Sequence, residues 1–311
     1  TVTLTVWYRG SNFDHFLPYL SDPAACPISL TFTVPSGYTY FAPGKSGTVK
    51  SEGRQATFTS EFPAPLNNFF FHCFASGISD TVEVVSDVGL TLNYIIADRG
   101  ARNQSCFISH DKYRASITGA FNFMTSRFGN PPQTFVEYVI PDGFQSVPGM
   151  IKVPQVACIT NSAWNVVGSF DIPAGDGVAR QWFGALMQLR SGREDWLAAA
   201  LPVYMGLMYI ESARGSGTYF ANLGARRDSL FQRLALGQDI PLAAGYRINS
   251  FKKENSPLDY YQTVLTNRGI WLLHMLRFLM FDYETGSDAT FLKFARELGL
   301  HINNKTFANV D

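Results

Sequence analysis

The stretch Asp176-Gly-Val-Ala-Arg180-Gln-Trp-Phe-Gly184 lies at the start of a long helical region and decides the fold of this chain. The helical patterns around and after it span 175–190, 193–212, 222–236, 257–281 and 287–299. Asp176 and Arg180 stand four positions apart, and two such side chains lie on the same face of a helix. The acidic residue precedes the basic one, which is the orientation that favours an ion pair, so we expect these side chains to pair.

The chain before this helical region is rich in predicted strands. Alternating apolar and polar residues, separated by Gly, Pro and Ser turns, occupy 1–8, 28–34, 55–60 and 69–73. A further β-rich stretch at 82–96 leads into a helix with Ser109 as its expected N-cap, and a strand at 134–140 follows. Strands first and helices later predict an α+β protein with separable lobes.

The composition limits the classes to which the protein can belong. Its 311 residues are 46% hydrophobic and 16% charged, with 25 basic and 25 acidic side chains. A chain of this kind can bury a large core, which argues against disorder. A zero net charge without any basic block argues against nucleic-acid binding, and no apolar run is long enough to cross a membrane. The cysteines at 26, 73, 106 and 158 form no CxxC pair, which argues against a zinc knuckle and leaves two disulfides or four thiols open.

Three other segments accompany the opening stretch. The segment Gly143-Phe-Gln-Ser-Val147 precedes it and leads into Gly149-Met-Ile151. Two more follow it, Trp196-Leu-Ala-Ala-Ala200 and Thr266-Asn-Arg-Gly269, and the second continues into His274-Met-Leu-Arg277. His274 stands mid-helix among leucines, so we expect a structural histidine there rather than a metal ligand.

Together with the tail Gln181-Trp-Phe-Gly184, these segments resemble the catalytic module of M1-family (aminopeptidase N-like, gluzincin) zinc metallopeptidases, over about 82–300. In that family a helix carrying His-Glu-x-x-His and a Glu on a later helix bind the zinc ion. By this resemblance, Asp176 and Arg180 stand at the positions of the two zinc-binding His, and Ala199 stands at that of the zinc-binding Glu. Gly177 stands at the position of the general base and Thr266 at that of the oxyanion Tyr. Ser146 stands at the position of the Glu that grips the substrate amino terminus.

The residues at these positions differ from those that the chemistry requires. Catalytic zinc needs three protein ligands and one open position. Arg180 stays protonated and has no lone pair to offer a metal, Ala199 has no donor atom, and Gly177 cannot accept a proton from water. We therefore predict no zinc, no other cofactor and no enzymatic activity, which makes the chain a degenerate pseudo-peptidase. The Arg180 guanidinium would then fill part of the volume of the missing ion.

The resemblance also implies a domain organisation and a role. Residues 1–80 would be the end of an M1-like N-terminal β domain, and residues 81–311 a thermolysin-like α+β lobe with a mainly helical C-terminal part. Family members with altered sites serve as protein-binding subunits, so we expect a scaffold or protein-interaction module within a larger polypeptide or assembly. Many relatives are extracytoplasmic or membrane-tethered, which favours that setting. The strand-like start at Thr1 suggests a piece of a longer chain.

Two other functions stay open. The first is a non-cleaving peptide-binding or sensing module, with a peptide in a vestigial cleft lined by Gly143, Phe144, Gln145 and Ser146. The second is a metallo-aminopeptidase whose metal ligands have moved to other residues. Turnover of aminoacyl reporter substrates that a chelator abolishes would distinguish the second function from the first.

Overall fold

The computed structural model of the chain describes residues 110–129, 171–183, 194–242 and 258–304 as continuous segments, and ten strands between residues 29 and 152. The continuous segments contain six helices, which are α1 His110–Phe128, α2 Asp171–Ala179, α3 Asp195–Arg214, α4 Ser216–Ala235, α5 Leu258–Leu279 and α6 Ala289–Asn304. None of these helices is long and apolar enough to span a bilayer.

The backbone of the strands forms three sheets. The strands are β1 Ser29–Pro35, β2 Tyr38–Phe41, β3 Lys45–Ser46, β4 Lys50–Glu52, β5 Gln55–Glu61, β6 His72–Ala75, β7 Ser79–Val85, β8 Thr91–Ala97, β9 Phe135–Val139 and β10 Met150–Lys152. Strand β5 pairs antiparallel with β1, β3 and β4, and β2 pairs antiparallel with β6. The sheet nearest the helices has the order β10-β9-β8-β7, in which β8, β9 and β10 are parallel and β7 is antiparallel. The predicted β-rich lobe and its boundary at residue 80 stay predictions, because most of 1–80 lies outside the described part.

Helix α2 differs from the predicted helix 175–190 at both ends. It begins at Asp171, because Pro173 falls in the first turn, where no backbone N–H is needed for a helical hydrogen bond. It ends at Ala179 and closes in a tighter turn, in which the amides of Gln181 and Trp182 donate to the carbonyls three residues earlier, at 2.9 and 3.0 Å. The local pattern predicts the helix but not this early end.

The break between α3 and α4 also differs from the prediction. Helix α4 begins at Ser216 rather than at 222, directly after Gly215. Gly215 has φ +85°, a backbone conformation that favours glycine, and its amide donates a 2.9 Å hydrogen bond to the Glu211 carbonyl to close α3. A single residue therefore separates the two helices.

Helix α3 is the centre of the core. Nearly every side chain between Leu197 and Ile210 is buried, so this helix is apolar on all sides and is surrounded by its neighbours. It packs against α2, α4 and α5, while α1 packs against α2. The helices that carry the candidate site are thus held against one shared helix.

The residues that directly follow Arg180 lie in the core of the protein. Gln181, Trp182 and Phe183 are all buried. The indole Nε1–H of Trp182 donates a 2.9 Å hydrogen bond to the carbonyl of Gly129 at the end of α1, and the ring of Phe183 meets Phe128 edge to face, with centroids 5.1 Å apart. These contacts anchor the end of α2 to α1.

Candidate functional site

Helix α2 brings Asp176 and Arg180 together. Nε of Arg180 lies 3.1 Å from Oδ1 of Asp176, and Nη2 donates a long hydrogen bond of 3.5 Å to Oδ2. The predicted ion pair is therefore confirmed. Oδ1 is buried and accepts no hydrogen bond within the described part of the chain, so its contact with Nε is Coulombic. With the arginine 18% and the aspartate 30% exposed, the pair contributes little stability, of the order of 0.3–0.5 kcal/mol.

Two glycines determine where Asp176 stands. A Cβ atom on Gly206 of α3 would lie 2.7 Å from the amide nitrogen of Asp176, and one on Gly175 would lie 2.9 Å from the Cα of Gly206. Both distances are shorter than real carbon contacts, so only glycine at these positions lets the backbones of α2 and α3 touch. Asp176 is consequently held against the central helix.

A second arginine, Arg226 of α4, belongs to the same site. Its Nη1 donates a 3.2 Å hydrogen bond to Oδ1 of Asn267, a buried residue of α5. Burial lowers the pKa of Arg226, and the nearby carboxylate of Asp176 partly opposes that shift. Among the described residues, no carboxylate lies within ion-pair distance of the Arg226 guanidinium. Two arginines thus face one carboxylate.

Sequence reasoning missed Arg226, although a signal for it exists. Tyr219, Leu223, Arg226 and Leu230 recur at the spacing of one helix face, and Tyr219 and Leu223 are fully buried. A charged residue on a face that is otherwise apolar is informative, because burial of a charge is costly unless the charge is compensated. The neighbouring Arg227 lies on the exposed side and pairs with Asp228.

The other described positions assigned by the resemblance carry no charged group. Ala199 is buried in a small apolar cluster with Ile240, Val264 and Leu265. Gly177 is buried, and its carbonyl accepts a 3.1 Å hydrogen bond from Nε2 of Gln181. Thr266 is half-buried on α5, next to Asn267. The assigned roles of these residues stay predictions.

Zinc, the metal that the resemblance implies, does not fit these side chains. Arg180 cannot donate a lone pair, Ala199 offers only a methyl group, and the Asp176 carboxylate is already engaged by a cation at 3.1 Å. Within the described residues, no group of three or more His, Cys, Asp and Glu side chains is arranged to hold a metal ion. The proposed cleft residues Gly143, Phe144, Gln145 and Ser146 lie outside the described residues.

A second polar cluster lies further along α5. Arg277 forms ion pairs with Glu211 of α3, at 2.6 Å, and with Asp288 at the start of α6, where its Nε donates a 2.9 Å hydrogen bond. Burial by itself would lower the pKa of Arg277, but the hydrogen bond with Asp288 and the charge of Glu211 raise it overall. The guanidinium also lies over the ring of Tyr219, 5.5 Å from its centroid.

His274 lies beside this cluster and forms a hydrogen bond within it. The hydroxyl of Tyr219 is 2.9 Å from Nδ1 of His274 and 3.1 Å from the hydroxyl of Tyr204. Burial raises the pKa of both tyrosines, which keeps the hydroxyls protonated, and it lowers the pKa of His274. A hydrogen-bonded histidine in this setting is structural, as the sequence predicts.

The fold is similar to those of several solved structures. An M1 zinc metallopeptidase from Deinococcus radiodurans superposes with a TM-score of 0.66 at 16% identity, over 92% of this chain and 59% of that one. A mutant of a two-domain M1 zinc metallopeptidase bound to L-tryptophan gives the same TM-score at 18% identity, over 92% and 59% of the two chains. Yeast LTA4 hydrolase gives 0.63 at 14% identity, over 91% of this chain and 42% of that one.

The chain therefore has an M1-like fold. It spans about three fifths of the length of the metallopeptidases that it resembles. No family model and no curated protein matches the sequence. At these identities the likeness concerns the fold, which by itself hosts many chemistries.

The prediction that the chain is not an enzyme is contradicted by these comparisons. The structures that share its fold are, by name, zinc metallopeptidases and a hydrolase. The prediction was wrong because it inferred the absence of all activity from the loss of one set of residues at 176, 177, 180, 199 and 266. A fold can carry chemistry on residues other than those of one motif.

Proposed function

We propose that this chain is an M1-like module that acts as a scaffold or protein-interaction domain within a larger polypeptide or assembly. One surface supports the proposal. Five large apolar side chains that are each more than half exposed form what we call the apolar stripe, namely Phe220, Met275, Phe278, Leu279 and Tyr283. The proposal retains a β-rich lobe at 1–80, a thermolysin-like lobe at 81–311, and an extracytoplasmic or membrane-tethered setting.

The members of the apolar stripe are neighbours. Met275, Phe278 and Leu279 are three and four positions apart on α5, so they share one helix face. The ring of Tyr283 lies 5.8 Å from that of Phe278. Phe220 of α4 joins the stripe through His274, whose ring centroid is 6.3 Å from its own.

An exposed surface of this composition favours a protein partner. Contiguous apolar patches on soluble proteins mark interaction sites, and aromatic residues and methionine are enriched at the centres of such interfaces. None of the five side chains carries a charge, so a partner with an apolar, uncharged face fits best. Large aromatic side chains at the centre of an interface provide much of the binding energy.

The test compares two phenylalanines of similar exposure. Phe278 is 62% exposed and belongs to the stripe, whereas Phe231 is 58% exposed and lies on α4 outside it. The wild-type chain and the Phe231→Asp variant should capture the same partner from an extract. The Phe278→Asp variant should capture at least about tenfold less of that partner. Circular dichroism checks that both variants fold. Equal capture by both variants, or no partner specific to the chain, would refute the proposal.

A second candidate function is hydrolysis of peptides by a metallo-aminopeptidase with relocated metal ligands. The likeness of the fold to M1 zinc metallopeptidases and LTA4 hydrolase favours it. Elemental mass spectrometry after dialysis against trace zinc, together with turnover of aminoacyl reporter substrates, tests this candidate. About one equivalent of zinc and turnover that a chelator abolishes would establish it. Less than about a tenth of an equivalent, with no turnover, would remove it.

A further inference from the structure

We infer that Arg180 and Arg226 form a binding site for a carboxylate group, at the end of α2 where it meets α4 and α5. The inference does not depend on the proposed protein contact, because the apolar stripe consists of other residues. It rests on charge balance, hydrogen-bonding capacity and access.

Among the residues that the structure describes, the charges of the site are not balanced. Arg180 and Arg226 together carry two positive charges, and Asp176 supplies one negative charge. Asp176 is in ion-pair contact with Arg180 but not with Arg226. A partly buried cation without a close counter-ion is unfavourable, and a bound anion removes that cost.

The hydrogen-bonding capacity is also incomplete. A guanidinium has five N–H donors, and Arg226 uses one of them, at 3.2 Å from Oδ1 of Asn267. Asn267 is only 5% exposed, and its Nδ2 group donates to no other described residue. Arg226 and Asn267 thus keep N–H donors available on two adjoining helices, α4 and α5.

The site is open to solvent on the side of α2. The side chains of Arg180 and Asp176 are 18% and 30% exposed, and Arg226 is also only partly buried. All three side chains therefore keep some contact with solvent, through which a ligand can reach them. Arginine forks bind planar anions through two parallel hydrogen bonds, which distinguishes them from a single ammonium.

The size of the charge selects the class of ligand. One excess positive charge is balanced by one negative charge, which a carboxylate carries. A phosphate group carries roughly 1.5 to 2 negative charges at neutral pH and would leave a buried excess of the opposite sign. The carboxyl terminus or an acidic side chain of a peptide supplies the required group.

The test uses two peptides that differ only in this group, acetyl-Ala-Ala-Ala with a free carboxylate and its C-terminal amide. Calorimetric or NMR titration of the full chain should show the acid binding at least about tenfold more tightly than the amide. Arg226→Gln should weaken binding of the acid by about tenfold or more. Arg226→Lys should give an intermediate affinity, because it keeps the charge but loses the fork.

The adjacent Arg227 provides a matched control, since it is exposed and pairs with Asp228. Arg227→Gln should leave the affinity unchanged. If Arg226→Gln fails to fold by circular dichroism, Arg180→Gln, which changes a more exposed position, should show the same selective loss. Equal affinity for acid and amide, equal losses for Arg226→Gln and Arg227→Gln, or no binding of either peptide would overturn the inference. Tighter binding of inorganic phosphate than of acetate would overturn the assignment to a carboxylate.

Discussion

Arg277 and Arg226 are partly buried arginines on adjacent helices, α5 and α4, but their surroundings differ. Arg277 contacts two carboxylates, Glu211 and Asp288, in close ion pairs. Arg226 contacts one neutral amide, and the Asp176 carboxylate near it is paired with Arg180. The pKa of Arg277 is raised by its partners, whereas that of Arg226 is lowered by its burial.

The difference separates a structural role from a binding role. A buried charge with two close counter-ions ties helices together, and removal of the charge leaves those counter-ions unpaired. A buried charge without a close counter-ion weakens the fold, and sites of this kind are typical of places where a ligand completes the charge balance. The predictions below test this separation.

The largest effect is expected for Arg277→Met. The variant leaves the partly buried carboxylates of Glu211 and Asp288 without their cation, so the free energy of unfolding should fall by about 3–5 kcal/mol. Urea titration measures the loss. Lys293→Met is the control, because Lys293 and its partner Glu297 are both mostly exposed, and it should change stability by less than about 0.5 kcal/mol. A loss below about 1 kcal/mol at Arg277 would mean that its pairs do not hold the helices.

Gly269→Ala should give the next largest effect. The added Cβ would lie 2.5 Å from the Cβ of Ala200, which forces apart α3 and α5. Helix α5 carries Asn267 of one arginine cluster and Arg277 of the other. Overpacking of this kind costs about 1–3 kcal/mol. Gly224→Ala is the matched control, since a Cβ there meets nothing within 4 Å, and it should stabilise the helix by about 0.5–1 kcal/mol. Equal effects at the two glycines would contradict the close packing.

The lowered pKa of His274, which lies in the cluster around Arg277, predicts that the stability of the protein depends on pH. Burial lowers its pKa, the charge of Arg277 lowers it further, and Glu211 opposes both. Because the unfolded chain binds the proton more readily, the contribution of His274 is fully present above its ordinary pKa of about 6.5 and is lost as the pH falls towards the lowered value. The midpoint of thermal unfolding should therefore drop less on acidification in His274→Gln than in wild type. Identical pH profiles would contradict the assigned cause.

The smallest effect is expected for the Asp176–Arg180 pair. A double-mutant cycle with Asp176→Asn and Arg180→Gln should give a coupling of about 0.3–0.5 kcal/mol, as for other i, i+4 pairs on partly exposed helices. The same cycle for Glu211 and Arg277 should give more than about 1 kcal/mol. A coupling of that size at Asp176 and Arg180 would show that the two clusters do not differ in kind.

How well a contact could be predicted from the sequence depends on how far apart its two residues lie along the chain. The pairing of Asp176 with Arg180 follows from helical spacing and is confirmed, and so is the structural role of His274. The helix starts at Asp171 and Ser216 differ from the predictions, since they depend on one proline and one glycine whose effect is decided by packing. The assignment of Asp176, Arg180 and Ala199 to the zinc positions stays a prediction, and it did not justify a conclusion about activity.

The sequence by itself determined the helical second half and the local ion pair, because each of these rests on periodicity or on short spacings. The M1-like fold was implied by the resemblance of its segments to a known family. Only the tertiary structure decided that Arg226 approaches Asp176 and Asn267, and that the five members of the apolar stripe adjoin one another. Those contacts join residues on different helices, and the packing of α3 against its neighbours, through Gly206 and Gly269, places them. No short-range pattern specifies the angle and separation at which helices pack, which is why these features appear only in the folded chain.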